Sequence, residues 1–556
     1  MSTYTRGVLS EIGGGRTVRR GPIRVGAFSV VIALVLASFI SQAAGALAAQ
    51  SLASAGALAA AAVSQSSAPT VKRGARPTKS IQVGRTPLSR SAAASIQVPN
   101  VAAHHSDVLA NFDGVGSRDS AITNFGAQFE PPDQGLCVGN GFVVEMVNSA
   151  FRVYDTHGKT LAGPTNVNAP FHEGFDQFTS DPRCQYDVAT NTWFAIVLFL
   201  NSTFTASTID VAVNTSGDPT TDWTVFRIDT TREDAPASFG CPCFGDQPTL
   251  GIDASNIYTT TNEFSILGPQ FNGAQIYAIS KHDLVTHAAN VHFVHYKDLT
   301  IGGALAGSVQ PALTNGPASA EYFLSSLDPN GTGDNRIGVW ALTNVGKVTT
   351  GGKPKLSSLV INSEAYAIPP AAAQKGSTSL INPDDDRMQQ TQFINGEIWG
   401  ALDTQVLPAG DSMPRAGVAW FRVKPHLKGS RLESAALTGQ GYVLSEGQYL
   451  LYPAIQADGH GHAAIVFTLT SEDRFPSAAY AVLSDRGTAF GHATTAARGT
   501  GPYDPAAGRW GDYSWIVLDP YSDSVWMATE YMGPTSSQTV DGLRNWGTRV
   551  IHLSFE

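Results

Sequence analysis

The chain has 556 residues and a formal net charge of −10, from 36 Lys+Arg against 46 Asp+Glu; 15% of its residues are charged and 42% hydrophobic. So little charge, together with 55 Gly and 26 Phe, excludes a coiled coil and a charged disordered chain. The acid excess argues against a nucleic-acid partner, because phosphate binding needs a basic surface.

The charge is unevenly placed. Residues 1–48 hold Arg6, Arg16, Arg19, Arg20 and Arg24 against Glu11. Residues 51–100 hold Lys72, Arg73, Arg76, Lys79, Arg85 and Arg90 and no acid, which leaves about −20 on the rest. In 1–48 the arginines precede an apolar stretch from Val25 to Ile40 and the small-residue site Ala46-Leu47-Ala48. That order predicts a signal peptide, or an uncleaved signal anchor, and hence a secreted or cell-surface protein that meets a membrane only through this segment. Arg19-Arg20 admits a twin-arginine signal, but its flanks fit poorly. Residues 49–106 are rich in Ala, Ser, Pro and basic side chains, which predicts a disordered linker.

From 107 to 556 one pattern recurs. A strand begins at Asp or Gln near Pro, meets a turn, and returns as an aromatic-rich strand. The copies begin near Asp133, Asp181, Asp246, Val309, Gln389, Leu451 and Gly511. Their centres carry turn chemistry such as Asn140-Gly141, Asn315-Gly316, Asn395-Gly396 and Asp458-Gly459. Most copies then add a further strand, such as QIYAIS (275–280) or TRVIHL (548–553). Four-stranded units repeated radially predict an all-β β-propeller, with seven blades favoured over six or eight. The rival is two stacked β-sandwiches. The 107–130 stretch, especially Ala121 to Phe129, is expected to close the ring with the last blade.

The segments PPDQGLCVGNGFVVEMVNSAFRVYD, FTSDPRCQYDVATNTWFAIV, GDQPTLGIDASNIYTTTNEF and RWGDYSWIVLDPYSDSVWMATEY resemble the blade motifs of secreted bacterial sialidase-like β-propeller proteins. The strict box S-x-D-x-G-x-x-W is not present; Asp187 to Trp193 and Asp519 to Trp526 only approximate it. The resemblance implies a propeller and, as one activity, glycoside hydrolysis.

In a propeller the strand starts and second-strand ends gather at one channel rim. The starts are Asp133, Asp181, Arg183, Asp246, Gln310, Gln390 and Asp512; the ends are Asn148, Asn262, Glu263, Asp403 and Glu530. This ring has three readings. Its side chains cap backbone groups. Or Asp133, Asp181, Asp246 and Asp512 bind Ca²⁺. Or a carboxylate pair drawn from Asp181, Asp246, Asp512, Glu263 and Glu530 performs acid/base catalysis. Asp133, Arg183, Gln310, Gln390 and Tyr513 are the expected ligand contacts, with Trp510 and Tyr531 as further exposed aromatics. Asp384-Asp385-Asp386-Arg387 reads as a solvated acidic loop, and His460 with His462 as a polar turn on the opposite rim. His104-His105 and His172 show no ligand spacing.

Cys137, Cys184, Cys241 and Cys243 form an even set, expected as two disulfides in an exported chain. Cys137–Cys184 with Cys241–Cys243 is one pairing; bridges from Cys184 to Cys241 or Cys243 stay open, as does zinc binding. No nucleophile elbow, phosphate loop or dinucleotide fingerprint occurs. The expected function is a monomeric surface propeller that binds a glycan or an extracellular protein without turnover. The alternative is a glycan hydrolase or lyase using the clustered carboxylates.

Overall fold

The computed structural model describes residues 106–126, 129–175, 177–232, 235–268, 270–328, 331–483, 488–503, 510–534 and 546–555. The signal and linker expectations and His104-His105 lie outside these residues. Among them no helix is long and apolar enough to cross a membrane.

The fold is an all-β propeller. Among the described residues the strand pairings form seven four-stranded antiparallel units. Their innermost strands are Gly135–Gly139, Phe178–Asp187, Cys243–Ile252, Gln310–Asn315, Met388–Ile394, Tyr449–Ala457 and Trp515–Leu518. These follow the seven copies seen in the sequence. The turns explain the hairpins. Asn140-Gly141 and Asn395-Gly396 take φ of 48°, 83°, 52° and 80°, the left-handed pair that a two-residue hairpin needs.

Each unit packs against the next, so its strands are apolar on both faces. Thr192–Leu200 (TWFAIVLFL) is buried at every residue but Phe199. One apolar cluster joins Val144 and Met146 of the first unit to Trp193 and Ala195 of the second. Others join the third to the fourth through Tyr258 and Trp340, and the fourth to the fifth through Val339 and Phe421. Trp420 with Ile465, and Val466 with Ile551, continue the series to the last unit. A cluster holding Leu136, Phe194, Leu250 and Trp526 covers the two remaining contacts, including last to first. The apolar core is therefore a closed ring of seven interfaces, not the two-layer core of a sandwich.

The 107–130 stretch supplies the strand that closes the ring, as expected, though not at Ala121 to Phe129, and one pairing was not expected. The closing strand is Ser106–Gly116, paired with Gly547–Phe555, and Ser117–Thr123 is a helix. The Asp119 carboxylate accepts the Gly116 N–H at 3.0 Å and starts that helix, so Ala121 to Phe129 does not close the ring. The inner strands of the third, fourth and fifth units also pair with each other in parallel, Ile252 with Leu313 and Ala312 with Thr391. The channel is that tight there.

Both disulfides are present, Cys137–Cys184 and Cys241–Cys243, with Cα separations of 5.5 and 4.4 Å. Their bonded sulfurs exclude the zinc reading. The first spans 47 residues and ties two units; the second spans 2. Loop-closure entropy assigns them about 4 and about 1.6 kcal/mol. Replacing Cys137 and Cys184 together by Ser should therefore lower the urea midpoint much further than the same double change at Cys241 and Cys243. Equal shifts would contradict this ranking.

Candidate functional site

The rim is built by one repeated device. In five of the seven units one residue just before or within the first half of the inner strand adopts a left-handed backbone: Asp133, Asp181, Gln247, Ser308 and Tyr452 have φ of 52°, 60°, 49°, 44° and 55°. This conformation is costly for a side chain as large as Tyr452 and persists only where its surroundings hold it. They do so through hydrogen bonds from the preceding unit. Asn148 Oδ1 accepts the Asp181 N–H at 2.8 Å, and Asn262 Oδ1 accepts the Ser308 N–H at 2.8 Å. The Asp403 carboxylate accepts the Tyr452 N–H at 3.0 and 3.1 Å. Asp181 Oδ2 likewise accepts the Gln247 N–H at 3.1 Å; in the opposite sense, Asp133 Oδ1 of the first unit accepts the N–H of Asp512 in the last at 2.8 Å. The ladder slips beside these points, between Ser180 and Arg183, Asp246 and Thr249, and Leu451 and Ala454.

Capping draws acids together. Oxygens of Asp133, Asp181 and Asp512 lie within 4.8 Å of one another, an oxygen set that a hard cation could use. Asp246, the fourth expected ligand, lies outside that group. Arg183 answers the charge from below. Its guanidinium carbon sits 3.1 Å from the centre of the Tyr513 ring and 4.6 Å from that of Trp515. Tyr513 in turn donates its hydroxyl to the Pro182 carbonyl at 3.1 Å. Arg183 and Tyr513, 1% and 2% exposed, thus face each other and not solvent, which corrects their expected role as ligand contacts. Burial, and then the charge of Asp512, push the Asp181 carboxyl above its ordinary value against the pull of Arg183.

Glu530 is the exception to the capping rule. It stands at the same second-strand end of the last unit as Asn148, Asn262 and Asp403 do in theirs, and it is 2% exposed. Yet among the described residues neither of its buried carboxylate oxygens has a hydrogen-bond partner. Gly511 makes the room, since a Cβ there would lie 3.0 Å from Glu530 Oε2. Burial, reinforced by the charges of Asp133, Glu130 and Asp512, raises the Glu530 carboxyl well above its ordinary value. It holds its proton more tightly than an ordinary glutamate does, beside the carboxyl groups of Asp133 and Asp512.

Other expected residues are placed elsewhere. Glu263 is not part of the acidic group and pairs with Arg232 at 2.9 and 3.1 Å. Gln390 spends its amide on the backbone of Ile516, donating to the carbonyl at 2.6 Å and accepting the N–H at 3.2 Å. Gln310 is buried. Trp510 and Tyr531 are core residues, 0% and 2% exposed, because both faces of every unit are covered. Asp384 and Asp385 are not solvated: Arg387 pairs with them at 3.0 and 2.6 Å and, against its burial, holds Asp385 below the ordinary carboxylate range. Arg387 also donates to Gln247 Oε1 at 2.6 Å, a rim contact that sequence reasoning missed. An arginine directly after three aspartates was its signal. The His460 and His462 segment is a turn, with both backbone N–H groups donated to Asp458 Oδ1 at 2.8 and 2.9 Å.

No protein-family model and no curated protein matches the chain. Solved structures similar to it include an alpha-L-arabinofuranosidase from Fusarium graminearum in complex with an iminosugar inhibitor, with 10% identity, 80% of this chain and 97% of that one covered, and a TM-score of 0.33. An endo-arabinase from Bacteroides thetaiotaomicron has 12% identity, 68% and 94% coverage and a TM-score of 0.29. A putative exo-beta-1,3-galactanase from Bifidobacterium bifidum has 10% identity, 58% and 94% coverage and a TM-score of 0.27. None of these three is named as a sialidase. Such values add nothing to what the strand pairings establish.

Two expectations follow. Asn148→Ala leaves the buried Asp181 N–H without its acceptor and should cost about 1–3 kcal/mol in denaturant unfolding; a neutral variant would remove the capping account. For Glu530, the folded state holds the proton more tightly than the unfolded state. Its contribution to stability is therefore fullest below the ordinary value of 4.5 and declines as pH rises towards the folded value. Glu530→Gln, which cannot ionise, should match the wild type in acid and gain in relative Tm as pH rises. A Tm difference that does not change with pH contradicts this.

Proposed function

We propose that this chain is an exported, glycan-acting propeller of seven blades, working as a glycoside hydrolase at the acidic rim. Residues 1–48 act as the export signal, 49–106 as the tether and 107–556 as the propeller. The observation that carries the activity is Glu530, a buried carboxyl whose oxygens find no partner among the described residues and whose proton is held by burial. Asp133 and Asp181 are spent on capping, whereas Asp512 is half-buried and neighbours Glu530. Two acids in such different surroundings are what glycosidic cleavage requires. Glu530 gives its proton to the leaving oxygen. Asp512 answers the positive charge that develops on the sugar ring, as nucleophile or as base to a water.

Binding without turnover is the second reading. It is favoured by the exposure of Asp133 and Asp181, 1% and 5%, which leaves few rim acids for chemistry. Incubating the purified chain with chromogenic arabinosides, galactosides and sialosides and with polysaccharides separates the two. Hydrolysis of at least one substrate, falling about a hundredfold or more in Glu530→Gln, is the expected result. Saturable glycan binding by calorimetry, with no release from any substrate, would establish the second reading instead.

A further inference from the structure

A second region combines a cavity, a disulfide and a buried carboxyl. A cavity of about 330 Å³ is lined by Thr205, Thr231, Arg232, Pro236 and Cys241. The Cys241–Cys243 bridge closes over Pro242 alone. Its two sulfurs differ: Cys241 is half-buried in the cavity wall, while Cys243 is fully buried. Asn272 Nδ2 donates to Cys243 Sγ at 3.4 Å. A Glu263 carboxylate oxygen lies within 4.8 Å of both sulfurs. Burial raises the Glu263 carboxyl, against the pull of Arg232.

A structural role explains little of this. The segment is already held by backbone bonds, from the Cys243 N–H to the Thr231 carbonyl at 2.8 Å and from the Ile266 N–H to the Pro242 carbonyl at 2.8 Å. A bridge across one residue removes little freedom from the unfolded chain.

We propose that Cys241–Cys243 is a redox-active disulfide that oxidises dithiols entering this cavity. The first thiol of the dithiol passes its proton to Glu263 and attacks Cys241 Sγ. The Cys241–Cys243 bond breaks, and its electron pair leaves on Cys243 Sγ, where Asn272 donates and Glu263 returns the proton. The second thiol then attacks the sulfur bound to Cys241. That bond breaks, Cys241 Sγ takes the electron pair and the second proton, and the dithiol departs as a disulfide. Two electrons and two protons pass from the dithiol to the two cysteines.

The test uses the purified full chain in glutathione buffers of graded redox poise, with alkylation and mass mapping of every cysteine. Cys241–Cys243 should open in buffers that leave Cys137–Cys184 closed. Cys243→Ser should take up one glutathione on Cys241, and Cys241→Ser none on Cys243. Glu263→Gln should slow opening by dithiothreitol about tenfold or more and flatten its pH dependence, which a purely structural glutamate would not do. Opening of both bridges together, glutathione uptake on Cys243 in preference to Cys241, or a Glu263→Gln variant with unchanged rate and pH profile would overturn the proposal.

Discussion

The structure depends on how the chain turns into each inner strand. In five of the seven a residue just before or within the strand's first half takes a left-handed backbone, and its N–H turns away from its own ladder. A buried N–H without an acceptor costs about 1–3 kcal/mol. The preceding unit supplies that acceptor: Asn148 for Asp181, Asn262 for Ser308 and Asp403 for Tyr452. Each unit thus fixes the next, and the apolar clusters between units follow from that alignment.

The same device creates the electrostatics. Short polar side chains are the natural acceptors at such turns, and Asp serves as well as Asn. Repetition around a ring concentrates Asp133, Asp181 and Asp512 within 4.8 Å. Arg183, stacked on Tyr513, and Arg387, paired with Asp384 and Asp385, offset part of that charge. Glu530 takes an acceptor's place but caps nothing, and Gly511 gives it room. Asn148, Asn262 and Asp403 are explained by the caps they make, whereas capping does not explain Glu530.

The sequence shows the units because their signals are local. Asn140-Gly141 and Asn395-Gly396 need only their own backbone to make a hairpin. The convergence of strand starts on one rim was also legible, since it follows from topology. Three things were not. Parallel pairing of Ala312 with Thr391 depends on register between units, which no periodicity reports. The closing strand lies at Ser106–Gly116, in the stretch expected to supply it but ahead of Ala121 to Phe129, because SDVLANFDGVG has no regular alternation to mark it. Aromatic residues gave no sign of depth. Tyr513, Trp510 and Tyr531 look like a sugar platform in sequence, yet all three are covered, because a unit packed on both faces buries its aromatics on both. The cysteine pairing was one of several that the sequence allowed, and only the positions of the inner strands select it.

The central claim is that Glu530 carries a proton in the folded protein under conditions where an ordinary glutamate does not. Infrared difference spectroscopy of the wild type against Glu530→Gln near neutral pH measures this directly. The account predicts a neutral carboxylic C=O band in the wild type that the variant lacks. A difference spectrum containing only ionised carboxylate bands would contradict it.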